Sequence, residues 1–275
     1  FMKIIKTKYL FGAFIEDLDL KEPMSNENIS NLNNALSENE VIFFRDQKIT
    51  HEDHRRLAMY FGQLQTHPAY PTIKDYPEIT ILENDRENPS KIEEWHTDMT
   101  FRKTPPLGSI LIGKIIPKDG GDTLFSSLAY AYEDLSTEMK INIKDLTAEH
   151  SFEFGFQESL AEEGGRKRLE DALLENPAVN HPVVRTHPLT KRKLLFVNKL
   201  FTSKINELPQ EESKELLEYL CSHIQKDKYI CRFEWEKDSI AFWDNRSVLH
   251  KPDNNYWPQL RRMERITIDD TERPY

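Results

Sequence analysis

The placement of strand-like runs restricts this chain's fold more than any other feature. VIFFRDQ, YPEITILEND, EEWHTDMTF and LGSILIGKIIP lie in the first half, while YICRFEWEKDSIAFWDNRSVLH and LRRMERITIDD come near the end. Each is rich in β-branched or aromatic residues and bounded by Pro, Asn, Asp or Gly, the pattern of short strands ended by turns. Between residues 127 and 209 the sequence is more helical and charged, with LAEEGGRKRLEDALLEN as its most polar part and HPVVRTHPLTKRKLLFVN reading as strand, turn and strand. Strand pairs on both sides of such an insertion suit a double-sheet barrel flanked by helices. The expected class is therefore mixed α and β, with a helical insertion near residues 127–209. Three amphipathic segments supply further helices: NENISNLNNALSEN, capped by Ser25, then HEDHRRLAMYFGQL, then PQEESKELLEYLCSHIQKD.

A chain of 275 residues is long enough to enclose one large core and a buried pocket, so residues 1–275 are expected to form a single domain. No stretch approaches the roughly 20 apolar residues of a membrane-spanning helix, and the first twenty residues lack a continuous apolar core of secretory length. A cytoplasmic protein with no membrane partner is the expectation. The formal net charge of −10 repels phosphate backbones at long range, which argues against a nucleic-acid partner. Cys221 and Cys231 have neither a second pair nor metal-finger spacing, and are read as reduced thiols.

In WHTDMTF taken as a strand, His96 and Asp98 point to one face while Trp95, Thr97 and Met99 point away. A His-X-Asp triple arises easily by chance, so a third ligand is needed, and WDNRSVLH offers His250 after an apolar strand and an Asp-Asn turn. Two histidines and one carboxylate leave three coordination positions open. That suits a non-haem iron(II) holding a chelating cosubstrate and dioxygen, whereas structural zinc would fill a closed tetrahedron. Among the other histidines, His51, His54 and His223 sit on charged helices, where solvated positions are expected. His150, His181 and His187 are expected to be buried and hydrogen-bonded.

Along LRRMERIT taken as a strand, Arg261, Met263 and Arg265 share one face, and Arg262 and Glu264 share the other. The plain reading is a charged edge strand; the functional one sends two guanidinium groups into a pocket. Position favours function, because Arg261 follows His250 by eleven residues across a turn containing Asp253, Asn254 and Pro258. An arginine there can grip a carboxylate bidentately. Thr123, after the Gly-Gly turn of GGDTLFSS, could add a hydroxyl donor to the same carboxylate.

These residues resemble the taurine dioxygenase branch of the iron(II), 2-oxoglutarate dependent oxygenases. The resemblance runs in the family's order through VIFFRDQKIT, FGQLQTHPAYP, WHTDMTFRKTPP, GGDTLFSS, AEHSFEFGF, HPVVRTHPLTKRKLLFVN, WDNRSVLH and PQLRRMERIT, over roughly residues 10–270. It implies a double-stranded β-helix, or jelly roll, with His96, Asp98 and His250 as iron ligands. It further implies that Arg261 and Thr123 bind the far carboxylate of 2-oxoglutarate. His67, Tyr70, Phe101, Phe156 and Arg265 match positions that surround taurine, with His67 and Arg265 at the sulfonate. The implied reaction consumes 2-oxoglutarate and dioxygen, yields succinate and carbon dioxide, and hydroxylates the substrate so that sulfite and an aldehyde are released. Family members are commonly homo-oligomers. Two positions depart from the pattern: Ile92 stands where the taurine enzymes tend to carry asparagine, and Met99 where they carry a smaller valine. Loss of a polar partner and added bulk point to a different sulfonate or to a longer, more apolar one.

Three other readings compete. The same chemistry could act on a carboxylate substrate, since an arginine accepts either anion. A non-catalytic metal-binding jelly roll would be expected to lack part of the triad or the cosubstrate arginine, and both are present. A metal-dependent hydrolase would need a general base beside the triad, and the sequence offers none.

Overall fold

Val41, Ile42, Phe43 and Phe44 are all buried, because their strand is covered on both faces. Val41 and Phe43 enter one apolar cluster and Ile42 and Phe44 another, as the two-residue period of an extended chain requires. The computed structural model describes residues 2–66, 70–90 and 93–275. In chain order the strands begin with β1 (Lys3–Lys6), β2 (Ala13–Glu16), β3 (Val41–Phe44), β4 (Thr72–Ile73), β5 (Tyr76–Asn84), β6 (Gly108–Ile115) and β7 (Thr123–Ser127). The middle of the chain adds β8 (Thr147–His150), β9 (Val179–Pro182), β10 (Val184–Thr186), β11 (Lys193–Leu195) and β12 (Thr202–Ile205). β13 (Ile230–Phe233), β14 (Ile240–Asp244), β15 (Val248–Pro252) and β16 (Arg261–Ile268) complete the set.

An eight-stranded sheet has the order β1-β2-β3-β14-β6-β16-β5-β4, and a three-stranded sheet has the order β13-β7-β15. Between them lies one cluster, to which the large sheet gives Phe43, Leu111, Trp243 and Met263 and the small sheet gives Phe125, Cys231, Phe233 and Val248. Two sheets, antiparallel but for the β2-β3 pair, closed on such a core are the jelly roll. The outer face of the large sheet is covered by the helices Asn26–Asn39 and His51–Met59, whose Leu32, Leu36, Leu57 and Ala58 meet Ile42, Phe44, Ile110, Phe242 and Ile266. Each large apolar side chain buried there contributes roughly 1.5–3 kcal/mol. The helix Gln210–Ile224 covers the small sheet, placing Leu220 and Ile224 against Leu249. Among the described residues no helix is long and apolar enough to cross a membrane.

Between β7 and the helix Gln210–Ile224 the chain forms short helices, the β10-β11 hairpin and a separate sheet of order β12-β8-β9. The Ser25 side chain does cap its helix, accepting from the Asn28 N–H. HEDHRRLAMYFGQL is helical only as far as Met59. The backbone then turns to the end of β16, where Leu64 bridges Ile268 and the Gln65 N–H donates to Thr267 O. Gly62 permits that approach, since a Cβ there would lie 2.9 Å from Asp269 O.

Three expectations need correction. WHTDMTF is not a strand: His96 makes a single bridge to His250, and the chain then turns at Asp98–Phe101, with Met99 at φ +51°. His54 and His223 are not solvated, because each rests its Nε2 on a buried carbonyl, that of Ile110 and that of Ala131 respectively. Burial lowers the pKa of both and keeps them neutral, with His54 pushed down to about 3. His51 is the partly exposed member, pairing with Glu264 at 3.0 Å. His67 and Ile92 lie outside the described residues.

Candidate active site

His250 stands on β15 opposite Phe125 of β7, on the face turned toward the other sheet. His96 is held beside it by two backbone hydrogen bonds, His96 N–H to His250 O at 3.1 Å and His250 N–H to His96 O at 2.8 Å. The rings lie 4.3 Å apart between centroids. Asp98 arrives by the following turn, where no strand partner exists for its peptide. Asn245, in the tight connection between β14 and β15, takes that place: its Oδ1 accepts from the Asp98 N–H at 2.9 Å, and its Nδ2 donates to Asp98 O at 3.0 Å and Pro106 O at 3.2 Å. Thr97 adds a hydroxyl donation to Val248 O at 2.8 Å.

The ligating atoms of His96, Asp98 and His250 all lie within 4.8 Å of one another, and all three residues are buried. Asp98 Oδ1 is 3.4 Å from His96 Nε2 and 3.7 Å from His250 Nε2. The His96 Nδ1–H donates to Glu94 O at 2.9 Å, which turns the Nε2 lone pair toward Asp98. Asp98 Oδ2 is buried without a hydrogen bond among the described residues. Burial pushes the Asp98 carboxyl up, but the fields of His250, Arg265 and His96 outweigh it and hold it far below the usual range. Burial pushes His250 down to about 3, against the pull of Asp98. A carboxylate and a neutral imidazole whose lone pairs converge are the states a divalent cation requires, so the donor set fits a metal ion.

Two arginines approach from β16, on which Arg261, Met263 and Arg265 alternate with Arg262 and Glu264 as expected. Arg265 Nη1 lies 3.7 Å from Asp98 Oδ2, and its buried Nε has no hydrogen-bond partner among the described residues. Arg261 is buried, donates from Nε to Gly121 O at 3.2 Å and faces the Tyr256 ring. No ion pair among the described residues includes Arg261, and burial lowers its pKa. Gly120 and Gly121 both have left-handed φ, +78° and +79°, and a Cβ on Gly121 would come within 3.3 Å of Arg261 Nε. Thr123, buried at the start of β7, accepts from the Trp235 indole N–H at 2.9 Å, so its own hydroxyl hydrogen is free to donate elsewhere.

Phe101 and Phe156 meet in an aromatic cluster with Phe152 and Phe201, against which Met99 packs. Phe201 also meets the His96 ring edge-on at 6.5 Å. Tyr70 is exposed, just ahead of β4. Asn245 and Phe201 have no distinctive signal in the sequence, the first reading as a turn residue and the second as core.

The chain matches the family described as taurine catabolism dioxygenase TauD, TfdA family over residues 5–267. It belongs to that family. A Schizosaccharomyces pombe protein named as a candidate alpha-ketoglutarate-dependent sulfonate dioxygenase is 34% identical to it, over 84% of this chain and 60% of the relative, so the chain spans less than two thirds of that protein. An alkylsulfatase of Acinetobacter baylyi is 32% identical, over 94% of this chain and 81% of its own. A crystal structure of a taurine dioxygenase from Burkholderia xenovorans superimposes with a TM-score of 0.85 at 30% identity, covering 99% of this chain and 90% of that one. The jelly roll of this TauD-family chain thus carries its candidate metal centre between the two sheets.

Proposed function

We propose that the chain is one catalytic domain that uses iron(II), 2-oxoglutarate and dioxygen to hydroxylate a small organic sulfonate or sulfate ester. The dioxygenase class and its cofactors follow from membership of the family. One observation carries the anionic substrate: two guanidinium groups on one strand face, of which Arg265, largely buried, reaches Asp98 while Arg261, buried, has no carboxylate partner among the described residues. A buried cation without a counter-ion is costly, so Arg261 favours an anion when the site is filled, and Arg265, whose Nε has no hydrogen-bond partner among the described residues, has donor capacity left for a second. Two cations two strand positions either side of Met263 suit two different anions.

His96, Asp98 and His250 would hold the iron. Bound there, it supplies the oxidising chemistry that these side chains lack. Arg261 and Thr123 would bind the far carboxylate of 2-oxoglutarate, the arginine by charge and the threonine through its free hydroxyl hydrogen. Arg265 would hold the substrate anion, with Phe101 and Phe156 as an apolar wall and His67 and Tyr70 as further contacts. These residues orient one C–H bond and exclude water. One oxygen atom enters the substrate and the other enters succinate, with loss of carbon dioxide. A sulfonate hydroxylated at the carbon bearing sulfur breaks into sulfite and an aldehyde; a sulfate ester hydroxylated at the carbon bearing oxygen breaks into sulfate and an aldehyde.

Met99 packs against the aromatic cluster, which supports a substrate without an amine over taurine itself. The same reading includes a homo-oligomer and a cytoplasmic setting, the second supported by two buried, unpaired cysteines. Iron(II), 2-oxoglutarate and oxygen supplied with a panel of alkyl sulfonates, alkyl sulfates and carboxylates test the proposal. Succinate should form together with sulfite or sulfate. Succinate coupled only to oxidised carboxylates would transfer Arg265 to a carboxylate substrate and end the sulfur assignment.

A further inference from the structure

The turn that carries Asp98 is gripped from outside the jelly roll. Thr100 is fully buried two residues beyond that ligand, and its Oγ1 lies 2.8 Å from His150 Nδ1 and accepts from Asn198 Nδ2 at 3.2 Å. The Thr100 carbonyl accepts from His181 Nε2–H at 2.8 Å, and the same N–H reaches Arg102 O at 3.0 Å. Asn198 is itself fixed, donating its N–H to Thr202 Oγ1 at 3.0 Å and accepting the Phe201 N–H on Oδ1 at 2.9 Å. The two histidine rings lie 5.0 Å apart and both pack on Phe196. His150 belongs to β8, His181 to β9, and Asn198 follows β11, so every one of these partners comes from the segment outside the two principal sheets.

Apolar side chains of similar volume would fill this space without the desolvation cost of four buried polar groups. What such a polar network adds is a single geometry, held here although His150 Nε2 has no hydrogen-bond partner among the described residues. Here that geometry belongs to a turn with Asp98 at its start, Met99 in the left-handed region and Phe101 of the aromatic wall at its end. A displacement of Thr100 would therefore move a metal ligand and a wall of the substrate space together.

We propose that Thr100 is a positioning residue for the metal centre, held by His150, His181 and Asn198 so that the outer segment sets where Asp98 stands. The proposal rests on the reading of His96, Asp98 and His250 as metal ligands. Its test is a titration of the metal-free protein with Mn(II), alongside thermal melting and the ratio of succinate formed to substrate oxidised. Thr100→Val keeps the shape and removes the hydroxyl, and should weaken Mn(II) binding by about tenfold, the lower end for loss of an outer support of a metal ligand. It should also release succinate in excess of oxidised product. Thr100→Ser, which restores the hydroxyl, should bind Mn(II) nearly as the wild type does. His150→Phe keeps a ring and removes the Nδ1 that meets Thr100 Oγ1, should likewise weaken Mn(II) binding, and carries the comparison if Thr100→Val does not fold. His223→Leu, which removes a buried hydrogen bond to Ala131 O elsewhere, should lower the melting temperature and leave Mn(II) binding unchanged. Wild-type Mn(II) affinity in Thr100→Val, or an equal loss in His223→Leu, would overturn the proposal. Failure of the wild type to bind Mn(II) would remove the metal reading and this inference with it, a result distinct from tight binding by both proteins.

Discussion

The two ends of the candidate site are built on different kinds of backbone. Arg261, Arg265, Thr123 and His250 stand on strands of the two facing sheets, where ladder pairs fix each residue's register, on both sides for Arg265 and Thr123 and on one side for Arg261 and His250. His96 has one bridge, and Asp98 has no strand at all; its peptide is satisfied by the amide of Asn245. Regular strands place a side chain by periodicity, so many weak bonds share the task. The turn places Asp98 through a few side chains, so each of them carries more of it.

The largest expected effect ignores this difference, because the metal needs ligands from both kinds of backbone. His96→Ala, Asp98→Ala and His250→Ala should each abolish succinate-coupled oxidation, as each opens a coordination position. Circular dichroism should remain that of the wild type, since the apolar cluster between the two sheets includes none of these side chains. Retention of full activity by any one of the three would break the site assignment on both sides.

The same contrast explains what could be read in the sequence. Period-two alternation sets Val41 and Phe43 against Ile42 and Phe44, and it sets Arg261 and Arg265 against Arg262 and Glu264; the folded strands keep both patterns. His96 and Asp98 also converge as their spacing suggests, though by a turn and not by a strand. The spacing is satisfied for a reason that alternation does not contain, namely a left-handed Met99 and the bonds of Asn245. His54 and His223 mislead because their helices are polar overall, while tertiary packing turns these two positions to buried carbonyls. Asn245 and Thr100 were invisible because a side chain that braces a turn from far along the chain has no local period.

A second, smaller effect tests the strand-built end. Arg261→Ala should raise the 2-oxoglutarate requirement by around a hundredfold, taking about 3 kcal/mol for a charge-assisted pair and 1.4 kcal/mol per decade. Arg261→Lys should recover part of this loss, because the charge remains while the bidentate fork does not. Measured in steady state with substrate saturating, an unchanged 2-oxoglutarate requirement would move the cosubstrate to the other arginine.

The smallest effects sharpen the comparison by removing one supporting hydrogen-bonding group at each end. Asn245→Ala takes away one acceptance from the Asp98 N–H and donations to the Asp98 and Pro106 carbonyls, and no ladder bond replaces them. Mn(II) affinity should fall by about tenfold, equivalent to about 1.4 kcal/mol. Trp235→Phe takes away the indole N–H that Thr123 accepts, while β7 stays paired to β13 and β15 on its two sides. Thr123 then keeps its place and loses one neutral hydrogen bond, worth about 1 kcal/mol or roughly fivefold in the 2-oxoglutarate requirement. Its metal affinity should not change, because none of the three ligands is fixed through Trp235. The pair should therefore separate by both size and quantity: Asn245→Ala in the metal titration, Trp235→Phe in the cosubstrate titration. Equal loss of Mn(II) affinity in the two variants would show that the turn is no more dependent on single side chains than the strands are.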